Sequence, residues 1–539
     1  MKRFWKDGDP WIWLTGGALA ACLIFVAGLV FLITASGMGF FWPQEIWRLK
    51  LAGGTSVLGS PAQSEAIPHA AKTADGREAM RVQMKQGNRD LYGSDFVWID
   101  ESKIVRRENP PDAVLVERRE WGNLYGTIKE VRVEGKTIAQ GPEKGLEAVL
   151  VRLPAARAQA SRIEALEKGE IGDVNRAQEK IRLQLRGLEL KGVTSGPAVY
   201  QLNRETEHLK GEYGTLAGTL AELRKSWTGT VLFGIEGGKE KELAIDNIVR
   251  IIEPNRMGFF AKVGCYLSRI WEFLSQDPRE SNTEGGVFPA IFGTVMMVLL
   301  MSVFVTPLGI LAALYLREYA RQGTFVSLVR IAVNNLAGVP SIVFGVFGMG
   351  FFIYRIGGLI DRMFFPESLP TPTFGTGGIL WASLTLALMT VPVVIVATEE
   401  GLAAIPKNLR EGSLALGATK WETTWRVILP ALAPSILTGL ILAMARAAGE
   451  VAPLMITGVV KLAPSLPLDG QFPFVHMDRK FMHLGFHIYD VGFQSPNVDA
   501  ARPMVFTTTL LLLVIVVALN LAAIVLRRRL RKKFQMSAV

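Results

Sequence analysis

The chain has 539 residues, 49% of them hydrophobic, and a mean hydropathy of +0.27. This length and apolar content exclude a single soluble domain. The net charge of +10 does not predict nucleic-acid binding, because much of it lies at the chain ends beside apolar runs, as in membrane proteins. Cys22 and Cys265 lie in or beside such runs and predict neither a disulfide framework nor a metal site.

Six stretches are long enough to cross a bilayer, which takes about 20 apolar residues. Five of them carry no charge, and the remaining one contains Arg446 and Glu450. Basic residues precede the first stretch and follow the last, so both termini are predicted to be cytoplasmic. The predicted spans are 11–44, 287–316, 331–354, 374–398, 431–460 and 503–526.

The first predicted unit, 1–41, is a short cytoplasmic tail and the first span. The span lacks a small-residue cleavage site after it and is interpreted as a retained helix rather than a signal peptide. At the other end, 527–539 is predicted to be a basic cytoplasmic tail.

Residues 42–256 are predicted to form a soluble insertion on the side opposite the termini. Its first part, 43–88, carries little pattern and is expected to be partly disordered. Alternating apolar residues at 96–99, 113–116, 125–133, 148–153, 229–233 and 243–252 predict strands. A charged stretch at 155–190 predicts a helix, and a heptad seam predicts a second helix that completes a coiled-coil hairpin. The seam residues are Leu209, Tyr213, Leu216, Leu220 and Leu223.

An amphipathic helix is predicted at 257–276, where Phe260 and Trp271 lie on an apolar face and Arg269 and Glu272 on the opposite face. Such a helix can lie in the membrane interface. It precedes the segment 285–526, which is predicted to hold the five further spans.

The polar segment 399–430 has the pattern helix, tight turn, helix. Pro406 suits the first turn of a helix, and Gly417 is the expected left-handed stop. Thr419 and Glu422 have the spacing of a capping box for the second helix. The segment is predicted to be either a surface for a partner or an ordinary cytoplasmic connector.

The same segment resembles the EAA loop of ABC-importer permeases, whose motif is Glu-Ala-Ala, three residues, Gly, nine residues, Ile-x-Leu-Pro. The matching residues are Glu411, Gly412, Ser413, Gly417, Leu429 and Pro430. Gly412 and Ser413 replace the two alanines, and Val427 replaces the isoleucine. Residues 284–294, 335–345 and 445–453 further resemble the PstA-type permeases of bacterial phosphate importers, and the likeness covers about 258–526 and the first span.

The resemblance implies a membrane all-α fold, the six-helix type I ABC-importer permease fold, with an inserted soluble β–αα–β domain after the first transmembrane helix. It implies a non-catalytic subunit in the bacterial inner membrane, with the inserted domain in the periplasm. The implied partners are membrane lipid, a homodimeric PstB-like ATP-binding subunit that carries ATP and Mg, a PstC-like second permease, and a PstS-like periplasmic phosphate-binding protein. No cofactor is expected on this chain.

Arg446 and Glu450 are four residues apart on one predicted helix and are able to pair. Ionisable side chains at this depth are costly and usually face a bundle interior or a water path. The pair is therefore either a structural ion pair or, in a permease for anions, the group that lowers the barrier along the path.

Motifs for catalysis are missing from the sequence: it has no phosphate-binding G-x-x-x-x-G-K-[ST] loop, serine elbow or dinucleotide fingerprint. His483 and His487 lack the glutamate of a zinc hydrolase and are expected to be exposed polar surface. The alternatives to a phosphate permease are a permease for sulfate, molybdate or phosphonate, and a membrane-anchored sensor or scaffold whose soluble domain binds a partner.

Overall fold

The computed structural model describes residues 9–67, 78–225, 229–279, 282–495 and 498–536. In this part of the chain, six helices are long and apolar enough to cross a membrane, which confirms the predicted number of spans. They are Trp11–Gly39, Phe288–Tyr319, Ser341–Phe364, Ile379–Ala404, Lys420–Gly449 and Ala501–Arg529. The first belongs to the helix Asp9–Gly39 and the last to the helix Val498–Met536.

The predicted bounds of the third span are wrong. Its first part is a separate helix, Thr324–Leu336, and the span begins at Ser341 after Pro340. Proline has no N–H to donate and restricts Val339 to extended backbone, so one helix cannot run through this point.

The predicted bounds of the fifth span are wrong as well. The helix ends at Gly449, Glu450 is extended, and a short helix Ala452–Thr457 follows. Pro453 lies in the first turn of that short helix, where its missing N–H is harmless but prevents continuation of the span.

The fourth span lies between the second and the fifth, and small residues allow these helices to approach closely. A Cβ at Gly309 would be 2.5 Å from Val394 of the fourth span, and one at Gly439 would be 2.7 Å from Ala397. The first and sixth spans pack on each other near Gly37, whose carbonyl accepts a hydrogen bond from Thr507 at 3.0 Å.

In its described residues, the inserted domain contains two antiparallel sheets. The first has the order β4-β3-β2-β1-β5, and the second has the order β10-β9-β7-β6-β11 with β8 paired to β7. The strands are β1 Trp47–Leu51, β2 Ser56–Ala66, β3 Met80–Lys85, β4 Phe96–Asp100, β5 Ile104–Glu108, β6 Val114–Arg118, β7 Asn123–Val133, β8 Lys136–Gln140, β9 Thr230–Gly234, β10 Glu240–Ala244 and β11 Ile248–Ile252.

The expectation of disorder in 43–88 is wrong for its described residues, because β1, β2 and β3 form most of the first sheet. Residues 68–77 of this stretch lie outside the described residues. The register of β2 against β3 shifts between Pro61 and Gln63, and such an irregularity breaks the alternation that reveals a strand in sequence.

The strand predicted at 148–153 is wrong, because these residues belong to the helix Pro142–Ala165. Its buried positions, Gly145, Val149, Leu153 and Ala156, are spaced by four, four and three residues. This is a helical period, and the face packs on the second sheet beside Ile128. The apolar Leu150 and Val151 that suggested alternation are exposed.

The predicted helical hairpin is confirmed. The helix Pro142–Ala165 continues through Leu166–Glu170 into Ile171–Leu190, and Pro197–Lys225 returns along it with its seam half-buried, apart from the more exposed Tyr213. We call residues 166–225 the helical hairpin.

The helical hairpin reaches three loops of the membrane helices. Lys168 pairs with Asp277 at 2.9 Å, and Gln471 donates a hydrogen bond to Asp173 at 2.5 Å. A Cβ added at Gly187 would lie 4.0 Å from the Cβ of Glu367. The hairpin therefore runs across loops that precede the second span, join the third to the fourth, and join the fifth to the sixth.

The predicted amphipathic helix is present as Phe259–Ser275. Its apolar face is open, with Phe260 89% and Trp271 71% exposed. The opposite face is not turned to water, since Glu272 is buried and pairs with Arg250 of β11 at 2.6 Å. This polar face therefore fastens the inserted domain to the amphipathic helix, which precedes the second span.

Candidate functional site

The 399–430 segment, which we call the coupling loop, connects the fourth and fifth spans on the side opposite the inserted domain. It contains the helix Lys407–Ala415, preceded by Pro406 at the N-cap, one position before the predicted first turn. Gly417 has a φ of +86°, which confirms its predicted left-handed conformation. The N–H groups of Leu416 and Gly417 close the helix on the carbonyls of Gly412 and Leu414.

The predicted capping box is also confirmed. Thr419 accepts a hydrogen bond from the N–H of Glu422 at 3.2 Å, and Glu422 accepts one from the N–H of Thr419 at 2.9 Å. The helix that starts here passes through a wider turn, Thr424–Ile428, and becomes the fifth span at Leu429. Pro430 explains the wider turn, because it cannot donate to the carbonyl of Arg426 and its ring crowds that carbonyl.

An ion pair ties the coupling loop to the second span. Arg410 donates to Glu318 at 2.8 Å and to the carbonyl of Leu402 at 2.9 Å. The hydroxyls of Ser413 and Thr423 are 2.9 Å apart and join the two helices of the loop. The Lys407–Ala415 helix is therefore joined to the second span by a charged contact and to the fifth span by a short connection.

A second ion pair lies beside the first. Arg330, on the separate helix Thr324–Leu336, donates to Glu399 at 3.1 Å and to the carbonyl of Leu316 at 3.2 Å. It joins the ends of the second and fourth spans. Sequence reasoning missed both pairs, since their members are far apart in the chain and nothing local indicates the pairing.

The free face of the coupling loop is apolar. Leu416 is 92% exposed, and Trp421 and Trp425 stack with ring centres 5.7 Å apart while remaining exposed. Glu411 and Gly412 are exposed on the same loop, and Ser413 is half-buried. Exposed apolar groups rimmed by polar residues are typical of a protein interface, and the two tryptophans were a signal that the sequence analysis did not use.

Arg446 and Glu450 lie together at the other end of the fifth span. The Arg446 Nε and Glu450 Oε1 atoms are 3.7 Å apart, and both side chains are partly exposed. Glu450 lies just beyond the helix end, so the pair stands where the helix breaks, rather than in the middle of a continuous span as predicted.

The expectation that His483 and His487 are exposed is wrong, since they are 0% and 2% exposed. Burial lowers the pKa of His483 to about 3 and that of His487 to about 4. Nearby Asp490 pairs with Lys461 at 3.1 Å. Within the described ranges, no group of three or more His, Cys, Asp or Glu residues could hold a metal ion.

The sequence matches a family model described as "Binding-protein-dependent transport system inner membrane component" over residues 305–534. It is 29% identical to "Probable ABC transporter permease protein YqgH" of Bacillus subtilis over 269 residues, which are 50% of this chain and 77% of that protein.

Two further relatives are each called "Phosphate transport system permease protein PstA". The one from Haemophilus influenzae is 30% identical over 219 residues, 40% of this chain and 68% of the relative. The one from Mycobacterium leprae is 37% identical over 172 residues, 32% of this chain and 51% of the relative, so the match spans about half of that protein.

Among solved structures, one titled as inward-facing conformations of the MetNI methionine ABC transporter matches 49% of this chain and 98% of its own chain. It has 18% sequence identity and a TM-score of 0.31.

Proposed function

The chain belongs to the family of binding-protein-dependent transport system inner membrane components, as a PstA-type ABC permease, and from this premise we propose that it forms half of the pore of an ATP-driven importer of inorganic phosphate. It is a non-catalytic membrane subunit, and ATP hydrolysis takes place on a partner. The observation that carries the proposal is the capped coupling loop with its exposed apolar face, at the end of spans whose relatives are named phosphate permeases.

The proposed partners are a homodimeric ATP-binding subunit, which holds ATP and Mg and docks on the coupling loop, a second permease that completes the pore, and a phosphate-binding protein. The exposed Leu416 and the stacked Trp421 and Trp425 suit a groove on the ATP-binding subunit. The basic tail after the last span supports a bacterial inner-membrane location with cytoplasmic termini and a periplasmic inserted domain.

We propose alternating access as the mechanism. Closure of the ATPase dimer moves the helix Lys407–Ala415, and the Arg410–Glu318 contact carries this movement to the second span. The turn at Gly417 and the cap at Thr419 carry it to the fifth span. In the path, Arg446 lowers the barrier for an anion, and Glu450 orients the guanidinium.

The test is transport by the whole complex in proteoliposomes. With ATP inside the compartment that corresponds to the cytoplasm, radiolabelled phosphate should accumulate, and unlabelled sulfate, molybdate or phosphonate should compete poorly. Accumulation of one of those oxyanions in place of phosphate would support the function as a permease and refute phosphate as its substrate.

A sensor or scaffold is the second candidate, favoured by the size and two-sheet order of the inserted domain. It predicts that the chain is purified from detergent without an ATPase. A permease should bring the ATPase with it, and Trp421→Ala together with Trp425→Ala should weaken that association.

A further inference from the structure

A cavity of about 450 Å³ lies where three parts of the chain meet. Its walls come from the sheets of the inserted domain, from the helix Phe259–Ser275, from Arg279 and residues 283–285 after that helix, and from the ends of the first and sixth spans. This volume falls within the roughly 300–1,000 Å³ range of small-molecule sites. The transport mechanism proposed above assigns no role to the residues that line this cavity.

One wall is a buried ion network with more cations than anions. Arg250 pairs with Glu272 at 2.6 Å and with Glu117 at 3.4 Å, Arg279 pairs with Glu272 at 2.8 Å, and Arg269 pairs with Glu117. Every one of these side chains is less than one-fifth exposed. Burial alone would raise the pKa of Glu117, but Arg269 and Arg250 hold it below its usual value.

Among the described residues of this network, three guanidinium groups therefore share two carboxylates. Of the other charged residues that line the cavity, Lys85 and Arg89 offset Asp95 and Glu284, the last of which is the strand partner of Arg279. The described lining as a whole therefore keeps one positive charge in excess. A buried charge without a counterion is unfavourable, so the cavity is suited to an anion.

Arg279 is the group best placed to receive that anion. Its Nε is buried and has no hydrogen-bond acceptor among the described residues, while its Nη1 faces Glu272. A guanidinium donates most favourably to phosphate and carboxylate oxygens, often through two parallel N–H groups. An unused buried donor on a cavity wall indicates a ligand oxygen.

The side of the cavity nearest the membrane helices is apolar. Phe40, Phe41 and Trp42 at the end of the first span, Phe273, and Pro503 near the start of the sixth span line it. Aromatic side chains at the ends of membrane helices lie at the level of lipid headgroups. The cavity thus combines a cationic wall with an apolar side next to lipid.

We propose that this cavity binds the phosphate group of a membrane phospholipid, with the phosphate on Arg279 and the start of the acyl chains against Phe40 and Phe41. The bound lipid fills the joint between the inserted domain and the first span. Free inorganic phosphate offers the same chemistry without the apolar part, so the two sources are separable by experiment. The inference depends on the membrane spans and not on which anion is transported.

The test uses the complete transporter, purified in mild detergent and analysed by native mass spectrometry and by phosphorus content of the extracted lipid. The wild-type chain should retain phospholipid. Arg279→Gln should reduce this retention about tenfold, which corresponds to about 1.4 kcal/mol. This is about the effect expected when one hydrogen bond to a charged group is lost. Arg182→Gln is the matched control, because Arg182 is an exposed arginine of the helical hairpin that pairs with Glu179, away from the cavity. Arg279→Lys, which keeps the charge, should retain an intermediate amount.

Delipidated complex is then given either phospholipid nanodiscs or soluble inorganic phosphate, and thermal stability is measured. Stabilisation by phospholipid that is reduced by Arg279→Gln and unaffected by Arg182→Gln supports the proposal. Equal stabilisation by inorganic phosphate alone overturns the lipid assignment in favour of a free-phosphate site. Equal lipid retention by the wild type and a folded Arg279→Gln variant overturns the proposal altogether, whether or not transport is phosphate-specific.

Discussion

The replacement Glu318→Gln removes the charge that ties the coupling loop to the second span while keeping the side chain's size. Arg410 would keep its bond to the Leu402 carbonyl, but its carboxylate acceptor would be replaced by a neutral amide oxygen, which is a weaker acceptor. Its Nε is already buried without a hydrogen-bond acceptor among the described residues. The guanidinium would then be held less tightly to the second span, and the helix Lys407–Ala415 would move more independently of it.

The size of the effect follows from burial. The Arg410 and Glu318 side chains are 23% and 19% exposed, so the pair is neither fully exposed nor fully buried. An exposed ion pair contributes about 0.2–1 kcal/mol to stability. Removing one partner of a buried pair costs about 3–5 kcal/mol. A cost of about 2 kcal/mol is expected, which shifts the attached-to-detached equilibrium roughly 30-fold.

The assay measures phosphate uptake and ATP hydrolysis on the same proteoliposomes. Glu318→Gln should lower the uptake obtained per ATP hydrolysed, while hydrolysis continues. The exchange of both charges, Glu318→Arg with Arg410→Glu, should restore part of the ratio, and only part, because the bond to the Leu402 carbonyl is lost. Arg317→Gln is the control, since this neighbouring cation is exposed. An unchanged ratio in Glu318→Gln would refute the reasoning.

Gly417→Val should lower uptake roughly 5- to 30-fold without preventing membrane insertion, because a side chain at a φ of +86° costs about 1–2 kcal/mol. Gly412→Ala, in open space, should transport normally, and normal uptake by Gly417→Val would count against docking at the loop. Arg446→Ala should lower the rate of phosphate uptake without changing assembly of the complex, and Arg446→Lys should give an intermediate rate. Equal uptake rates in the wild type and Arg446→Ala would show that the Arg446–Glu450 ion pair has only a structural role. The pKa of His487 is about 4 in the folded chain and about 6.5 in the unfolded chain. Between these pH values the unfolded chain therefore binds more protons than the folded chain. The free energy of unfolding should thus fall as the pH drops from about 6.5 to 4. His487→Gln should flatten this part of a plot of Tm against pH, and an unchanged slope would contradict it.

Local signals in the sequence were enough for the coupling loop. Gly417, Thr419 and Glu422 act through their own backbone and near neighbours, so their geometry follows from residue type and spacing. Apolar runs likewise revealed six spans. Their ends were misplaced where Pro340 and Pro453 start new helices, because proline inside an apolar run is compatible with either a kink or a break.

Features that depend on distant contacts were not predictable. The four residues of the two ion pairs beside the coupling loop come from separate helices. His483 is polar by composition, yet packing places it in the core beside the second span, where Thr294 bonds to the N–H of Leu484. The helix at 148–153 was mistaken for a strand because a short apolar run has no unambiguous period.

The contacts of the helical hairpin have a mechanical consequence. One continuous helix of the hairpin contacts Asp277, Glu367 and Gln471, which belong to three loops that the proposed alternating access would displace relative to one another. In the proposed cycle one helix cannot follow all three loops, so at least one of these contacts would break in each turnover and the helix would resist opening. Cysteines introduced at 187 and 367 would have Cβ atoms 4.0 Å apart, which is close enough for a disulfide bond. If this contact must break during transport, oxidation of the two cysteines should stop transport and reduction should restore it.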